Sequence, residues 1–103
     1  MVTNLASLFA SLDGFEWDAG NTAKNVLGHD VSQAEAESIF FNVPVMVLDD
    51  DKHSAAEQRF LIHGVTADGR RLTAVFTIRG NRVRVISARD MSRRERLAYE
   101  TAR

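Results

Sequence analysis

The sequence predicts one α+β domain in which N-terminal helices pack on a four-stranded, mostly antiparallel sheet that is followed by a C-terminal helix. Alternating apolar and polar residues, interrupted by glycine-containing turns, run from residue 58 to residue 89. Two capping-box patterns flank this region and mark helices on either side of it. A chain of 103 residues, 45% of them hydrophobic, supplies one modest core. The absence of cysteine excludes disulfides, thiol nucleophiles and zinc–thiolate sites.

The first residues have the spacing of a short amphipathic helix, formed by Leu5, Leu8, Phe9 and Leu12. We expect residues 1–14 to be a helical extension that packs on the domain or on a partner, and residues 15–103 to be the main domain. No basic residue precedes the apolar positions, which argues against a secretory signal. No apolar run approaches the length of a membrane helix, and the composition fits the cytoplasm.

Three further helices are predicted by their end signals. Asp18 can cap a helix that runs to about residue 27, and Gly28 follows as a stop. Ser32 and Glu35 form a capping box for a helix that Pro44 ends. Ser92 and Glu95 form the second capping box, at the start of the C-terminal helix. The apolar face of the helix before Pro44 is expected to consist of Ala36, Ile39, Phe40 and Val43.

Four strands are predicted at residues 45–48, 58–65, 71–79 and 82–89, and residues 15–17 form a short extended candidate. A two-residue turn at Gly80 and Asn81 would pair Arg79 with Arg82, and a three-residue loop at 67–69 would pair Arg59 with Thr77. In this register one face is apolar, with Phe60, Ile62, Phe76, Ile78, Val83 and Val85. The other face carries Glu57, Arg59, Thr77, Arg79, Arg82 and Arg84.

Charge divides unevenly along the chain, with a formal charge of −8 over residues 1–58 and +7 over residues 59–103. The basic half suggests an anionic partner, and the alternative is that the acidic half neutralises it internally. Neighbouring arginines on a sheet disfavour one another unless they bind something or are shielded by acids. Arginine presents a planar fork of donors that fits phosphate oxygens, so the arginine face is a candidate phosphate site, with an ordinary solvated face as the alternative. Arg89 is expected to be structural, to face the apolar side and to pair with an acid of a helix.

The histidines show no metal-ligand spacing, so no metal site is predicted. His29 follows a predicted helix end and is a candidate for proton transfer near neutral pH. The aspartates at 49–51 are interpreted as a solvated turn.

An ordered series of short segments resembles the BrnT family of toxins. The segments are residues 15–18, 24–25, 29–32, 53–54 with Glu57 and Arg59, 77–79, 84–89, and 94–96 with Tyr99. The resemblance implies a toxin of a bacterial type II toxin–antitoxin module, with a RelE-like fold and a ribonuclease activity that arrests translation. It implies a BrnA-like ribbon-helix-helix antitoxin as partner, and binding to promoter DNA only through the complex. The family usually has glycine where this chain has Asp30, and an aromatic residue where it has Gln33.

A ribonuclease without metal or cofactor must activate the 2′-hydroxyl, stabilise the phosphorane and protonate the leaving oxygen. We expect Arg59, Arg79 and Arg84 to bind phosphate, with Glu57 or His29 moving protons. Further RNA contacts are expected from Lys24, Arg82 and Thr77. Two alternatives remain open. One is a non-catalytic module that docks an antitoxin or nucleic acid through the arginine face, and the other is an inactive toxin homologue that still binds the antitoxin.

Overall fold

The computed structural model describes residues 12–21, 29–42, 44–50 and 57–102. Five strands lie in these ranges: β1 (Gly14–Phe15), β2 (Met46–Asp49), β3 (Arg59–Val65), β4 (Arg71–Arg79) and β5 (Arg82–Asp90). The helices are α1 (Gln33–Ser38) and α2 (Arg93–Ala102), and residues 19–21 and 29 are also helical. The predicted helical stripe before Leu12, Lys24, most of the predicted 18–27 helix and Val43 lie outside the described residues.

The sheet has the strand order β1-β5-β4-β3-β2 and is mixed, because β1 runs parallel to β5 while the other pairs are antiparallel. The prediction of four strands is therefore corrected to five. Backbone hydrogen bonds join β1 to β5 at both ends of the pair. The Asp13 N–H donates to the Asn81 carbonyl and the Glu16 N–H donates to the Val83 carbonyl, each at 2.8 Å. A two-residue strand is too short to show alternation, so only its pairing partner identifies it.

Both predicted hairpin registers are confirmed. Arg79 pairs with Arg82, and Arg59 pairs with Thr77. Gly80 has a φ of 59° and Gly69 a φ of 87°, and glycine adopts this left-handed region without a steric penalty. The apolar face forms as predicted, and the described core consists of Val31, Ala36, Ile39, Phe40, Val47, Phe60, Ile62, Leu72, Ala74, Phe76, Val83, Val85 and Ala88.

A β-bulge in β5 changes which side chains face the core. Val75 pairs with Ser87 while its neighbour Phe76 pairs with Val85, which leaves Ile86 as the extra residue. Beyond the bulge Ala88 is fully buried in the core and Arg89 lies opposite Thr73, on the polar face. The predicted orientation of Arg89 toward the apolar side is therefore wrong, because the extra residue reverses the alternation.

Helix α1 covers the apolar face of the sheet. Its capping box is confirmed: the Ser32 hydroxyl accepts from the Glu35 N–H at 3.1 Å, and the Ser32 N–H donates to the Glu35 carboxylate at 3.0 Å. The helix ends at Ser38, earlier than predicted, because the next N–H groups bond three residues back rather than four. The predicted apolar positions in the described range, Ala36, Ile39 and Phe40, are nonetheless buried.

Helix α2 packs against one end of the polar face. Glu95 pairs with Arg89 at 2.6 Å and Glu100 pairs with Arg71 at 2.6 Å, while the buried Tyr99 donates its hydroxyl hydrogen to the Pro44 carbonyl. The second capping box, Ser92 with Glu95, is confirmed, as is the expected pairing of Arg89 with a helix acid. The helix leaves the opposite end of this face uncovered, where the arginines of the β4–β5 hairpin lie. No helix in the ranges that the structure describes is long and apolar enough to cross a membrane.

Candidate functional site

At the end of the polar face that α2 does not reach, described residues form a cleft of about 200 Å³. It lies between the start of β3, the β4–β5 hairpin and the segment that follows β1. Its lining consists of Gly20, Asn21, Glu57, Arg59, Arg79, Arg84 and Ile86. The cleft therefore brings together four of the five residues predicted to be catalytic.

Strand register explains why these side chains converge. Thr77 pairs with Arg59 on one side and with Arg84 on the other, so the three residues lie in one row across β3, β4 and β5. Arg79 lies two residues further along β4, on the same face. Glu57 lies two residues before the start of β3, next to Arg79. The cleft thus follows from side-chain alternation on three adjacent strands.

The segment after β1 closes the cleft on its other side, and Asn21 holds it there. The Glu16 N–H donates to the Val83 carbonyl, and β1 extends no further along β5. The next β5 carbonyl on this edge, that of Val85, therefore has no partner from β1. The Asn21 amide donates to this carbonyl at 2.9 Å and to the Glu16 carbonyl at 3.1 Å. Asn21 is only 3% exposed, and it replaces the missing strand with side-chain hydrogen bonds.

Arg84 is bound by two carboxylates of this segment. Its Nη1 lies 3.0 Å from Glu16 Oε1 and 3.0 Å from Asp18 Oδ2, and its Nη2 lies 3.2 Å from Asp18 Oδ1. The hydrogen bond from Arg84 holds the pKa of Asp18 below its usual value, and the same bond raises the pKa of Arg84. Both groups are therefore charged at neutral pH, and the Arg84 fork is occupied.

Arg79 is bound by Glu57 in the same way. Its Nε and Nη2 lie 3.2 and 3.0 Å from the two carboxylate oxygens of Glu57, and Nη1 lies 3.6 Å from Glu16 Oε1. This hydrogen bond lowers the pKa of Glu57 and raises the pKa of Arg79. In this state Glu57 is an ionised carboxylate whose affinity for a proton is reduced by its partner.

The arginines and carboxylates of the cleft balance each other. Among the residues that the structure describes there, three guanidiniums, of Arg59, Arg79 and Arg84, are matched by the carboxylates of Glu16, Asp18 and Glu57. Internal neutralisation by the acidic half of the chain is therefore realised inside the cleft. An anion can take the donor pairs that already bind Glu57 and Asp18 only in exchange for these carboxylates, because both ligands use the same N–H groups.

Two of the predicted RNA contacts lie outside the cleft lining. Thr77 is buried and donates its hydroxyl hydrogen to the Gln58 carbonyl at 2.7 Å, so it fixes the start of β3. Arg82 is exposed at the tip of the hairpin. Lys24 lies outside the described residues. Within the ranges that the structure describes, no three His, Asp or Glu side chains are grouped as metal ligands.

His29 is held at the other end of the sheet. Arg70 donates to the backbone carbonyls of His29 and Asp30 at 3.4 and 2.9 Å, and to both carboxylate oxygens of Asp90. Asp90 and Arg84 are six residues apart on β5, about 20 Å at the rise of a strand. His29 therefore does not belong to the cleft that contains Glu57.

Sequence reasoning missed Glu16, Asp18 and Asn21 as members of the site. Glu16 and Asp18 lie in a segment that carries the family resemblance, and the charge division pointed to internal neutralisation, but neither signal assigned them to the arginines. Their contacts with Arg84 span 66 and 68 residues of sequence. Contacts at this separation depend on how β1 docks on β5.

The comparison with family models supplies one match. Residues 17–95 match the model described as "Ribonuclease toxin, BrnT, of type II toxin-antitoxin system". The match begins at the segment that closes the cleft and ends in α2, so it includes every described strand except β1. A search of curated proteins finds no match. With more than half of its length covered, the chain belongs to the BrnT family of ribonuclease toxins of type II toxin–antitoxin systems.

Proposed function

We propose that this chain is an endoribonuclease that cleaves RNA without a metal ion, inhibits translation, and is neutralised by a BrnA-like ribbon-helix-helix antitoxin. We also propose that the fold is RelE-like and that the chain binds promoter DNA only as part of the antitoxin complex. Its proposed place of action is the bacterial cytoplasm, where translated RNA is found. The observation that carries it is the convergence of Arg59, Arg79 and Arg84 with Glu57 in one cleft.

The arginines suit the charge that develops at phosphorus. In the proposed reaction the ribose 2′-oxygen attacks phosphorus and the bond to the 5′-oxygen breaks, which leaves a 2′,3′-cyclic phosphate and a 5′-hydroxyl. Guanidiniums remain charged and donate in pairs, so Arg79 and Arg84 stabilise the crowded phosphorane. The bidentate geometry that each already makes with a carboxylate is the geometry a phosphate would take.

Glu57 is the proposed base. When phosphate displaces Glu57 from Arg79, the carboxylate loses the hydrogen bond that lowers its pKa and becomes a better proton acceptor. It then takes the proton of the 2′-hydroxyl, and water supplies the proton to the leaving 5′-oxygen. The hydroxide so formed takes the proton from Glu57, which restores the carboxylate. The proposal gives His29 no part in this step, since it lies about 20 Å away along β5.

The test is induced expression of the wild type, Arg79→Ala and Arg71→Ala in a bacterial host, with growth and RNA integrity scored together. Arg71 is a matched control because it is an arginine at the other end of the same strand, where it pairs with Glu100, and it does not line the cleft. We expect growth arrest and RNA breakdown for the wild type and Arg71→Ala, and neither for folded Arg79→Ala. Purified protein should leave 2′,3′-cyclic phosphate ends in the presence of EDTA. A toxic Arg79→Ala variant would contradict the assignment.

A non-catalytic docking module is the second candidate, and one observation favours it. The guanidinium forks of Arg79 and Arg84 are already bound by carboxylates, as in a site built for structure rather than for exchange. Under this alternative the wild type arrests growth without RNA loss, or folds without arresting growth at all. Binding to an antitoxin through the arginine face would then weaken in Arg79→Ala.

A further inference from the structure

Among the residues that the structure describes, the charges of the cleft give it little attraction for a polyanion at a distance. Its three arginines are matched by three carboxylates, and RNA is drawn to a protein by cations that no carboxylate neutralises. A further surface that attracts RNA would supply what these cleft residues do not.

Unneutralised arginines concentrate on α2. Arg70, Arg71, Arg79, Arg84 and Arg89 make ion pairs with carboxylates. Among the described residues, Arg93, Arg94 and Arg96 make none, and all three are exposed, although the charge of Arg96 contributes to the lowered pKa of Asp90. The remaining arginine of this kind, Arg82, stands alone at the hairpin tip. We call Arg93, Arg94 and Arg96, together with the exposed Leu97, the basic ridge.

Helical periodicity points the basic ridge away from the sheet. Glu95 and Tyr99 face the sheet, since Glu95 pairs with Arg89 and Tyr99 is buried. Arg93, Arg94 and Leu97 lie on the opposite side of the helix, and Leu97 is 68% exposed. Because α2 packs on the polar face, the ridge lies on the same side of the molecule as the cleft.

The position of two of these arginines is unfavourable for the helix itself. Arg93 and Arg94 occupy the first turn of α2, where the positive end of the helix dipole disfavours cations. No carboxylate in the described part of the chain pairs with them to offset this. Because these two cations do not stabilise the helix, we infer that they bind a ligand outside the domain.

The ridge lies within reach of RNA bound in the cleft. Arg89, which contacts α2, pairs with Thr73, and Arg84 pairs with Thr77. Four residues of strand span about 13 Å. The ridge lies on the far side of a helix about 10 Å across from that point, so the two sites are about 16 Å apart. A stacked strand advances about 3.4 Å per nucleotide, so about five nucleotides span this distance.

We propose that the basic ridge is a second RNA-backbone site, which captures the strand by its phosphates and delivers it to the cleft. The inference rests on the proposed ribonuclease function. RNA is favoured over a protein partner because Leu97 is a single apolar side chain among three guanidiniums. A protein interface is built around a larger buried cluster of anchors.

The experiment compares Arg93→Gln/Arg94→Gln with Gln33→Glu/Ala34→Glu. The control pair changes the net charge by the same amount but lies on α1, at the other face of the sheet. Binding is measured by fluorescence anisotropy over a range of salt, on fully 2′-O-methylated RNA that this reaction cannot cleave. Two lengths are used, a trinucleotide for the cleft alone and a strand of about twelve nucleotides that spans both sites.

For the long RNA we expect the ridge variant to bind more weakly, with a plot of log K against log salt less steep by about 1.4, because two phosphate contacts are lost. The trinucleotide should bind the ridge variant and the wild type alike. The control should keep most of the wild-type slope for both. Thermal unfolding should show the ridge variant at least as stable as the wild type, because two cations leave the first turn.

The results separate the inference from the function on which it rests. If the wild type binds both RNAs and the ridge variant matches it, the inference is overturned and the proposed function stands. The inference is also overturned if the trinucleotide loses as much affinity as the long RNA, or if the ridge variant keeps RNA and loses a protein partner instead. A wild type that binds neither RNA at low salt rejects both.

Discussion

Both carboxylate oxygens of Asp18 are bound by the guanidinium of Arg84, with Nη1 at 3.0 Å from Oδ2 and Nη2 at 3.2 Å from Oδ1. This is the bidentate geometry of an arginine–phosphate contact, formed here within one chain. Arg84 is the less exposed partner, at 14% against 59% for Asp18. An incoming phosphate would therefore displace Asp18 rather than move Arg84, since the exposed carboxylate has solvent to move into.

Asp18→Asn should make RNA bind more tightly. The asparagine keeps an oxygen for the N–H groups of Gly20 and Asn21 but removes a charge that competes with phosphate. We expect roughly threefold tighter binding of uncleavable RNA, measured by anisotropy at low salt. Asp13→Asn, just before β1 and without an ion pair to any arginine in the described part of the chain, is the control. Weaker binding by Asp18→Asn would mean that Asp18 positions Arg84 for phosphate instead of competing with it.

Asn21→Ala should destabilise the domain by about 2 kcal/mol. The substitution removes the side-chain amide that donates to the Val85 carbonyl, and this buried carbonyl is left without a hydrogen bond from it. Urea unfolding measures the loss. Asn42→Ala removes one amide bond, to the Val65 carbonyl, at a half-buried site and should cost about half as much. Equal losses would argue against a special role for Asn21 in extending the β5 edge.

Stability should fall as the pH drops from about 4.5 to about 2. The pKa of Glu95 is lowered from 4.5 to about 2, mainly because Arg89 donates hydrogen bonds to its carboxylate. A carboxyl whose folded-state pKa is lowered stabilises the fold above its unfolded-state pKa, and this contribution is lost as pH falls through the folded-state value. The contribution is on the order of 2 kcal/mol at neutral pH.

Denaturation of Glu95→Gln over this pH range provides the measurement. The variant should be less stable than the wild type at neutral pH, and the difference should shrink toward pH 2. Arg89→Gln should reduce the pH dependence in the same window, since it removes the same pair. A wild-type pH dependence retained in full by Glu95→Gln would rule out this carboxyl as its source.

Asp30→Gly should stabilise the protein by about 0.5–1 kcal/mol. Asp30 has a φ of 54°, the one positive φ of a non-glycine residue in the described part of the chain. The backbone carbonyl that accepts from Arg70 is retained in the variant. Ala34→Gly, inside α1, is the opposite control and should destabilise by about 1 kcal/mol. Thermal melting measures both, and a loss of stability in Asp30→Gly would show that its side chain matters more than its backbone strain.

The left-handed backbone at Asp30 gives a physical reason for the glycine that the resembling family usually has there. Glycine adopts this region at no steric cost, whereas aspartate adopts it at a modest one. Aspartate in place of glycine at position 30 thus changes the local backbone energy of a turn whose carbonyl accepts a hydrogen bond from Arg70. It lies far from the cleft, so it does not by itself argue against activity there.

Local signals were sufficient for much of the sheet. Each hairpin is specified by a glycine turn and by alternation within about twenty residues, so the pairings of Arg79 with Arg82 and Arg59 with Thr77 were predictable. The capping boxes at Ser32 and Ser92 are equally local, since each links residues three positions apart. The bulge at Ile86 escaped prediction because one extra residue leaves no compositional mark, yet it reverses the side on which Arg89 emerges.

The sequence by itself determined the α+β class, the two hairpin registers, the arginine face and membership of the BrnT family. Only the tertiary structure decided that β1 joins the sheet in parallel, that Glu16 and Asp18 bind Arg84, and that His29 lies away from the cleft. Short-range rules fix turns, caps and alternation because their partners are a few residues apart. Which distant carboxylate meets which guanidinium depends on how separate elements dock, and no local pattern in the chain encodes that.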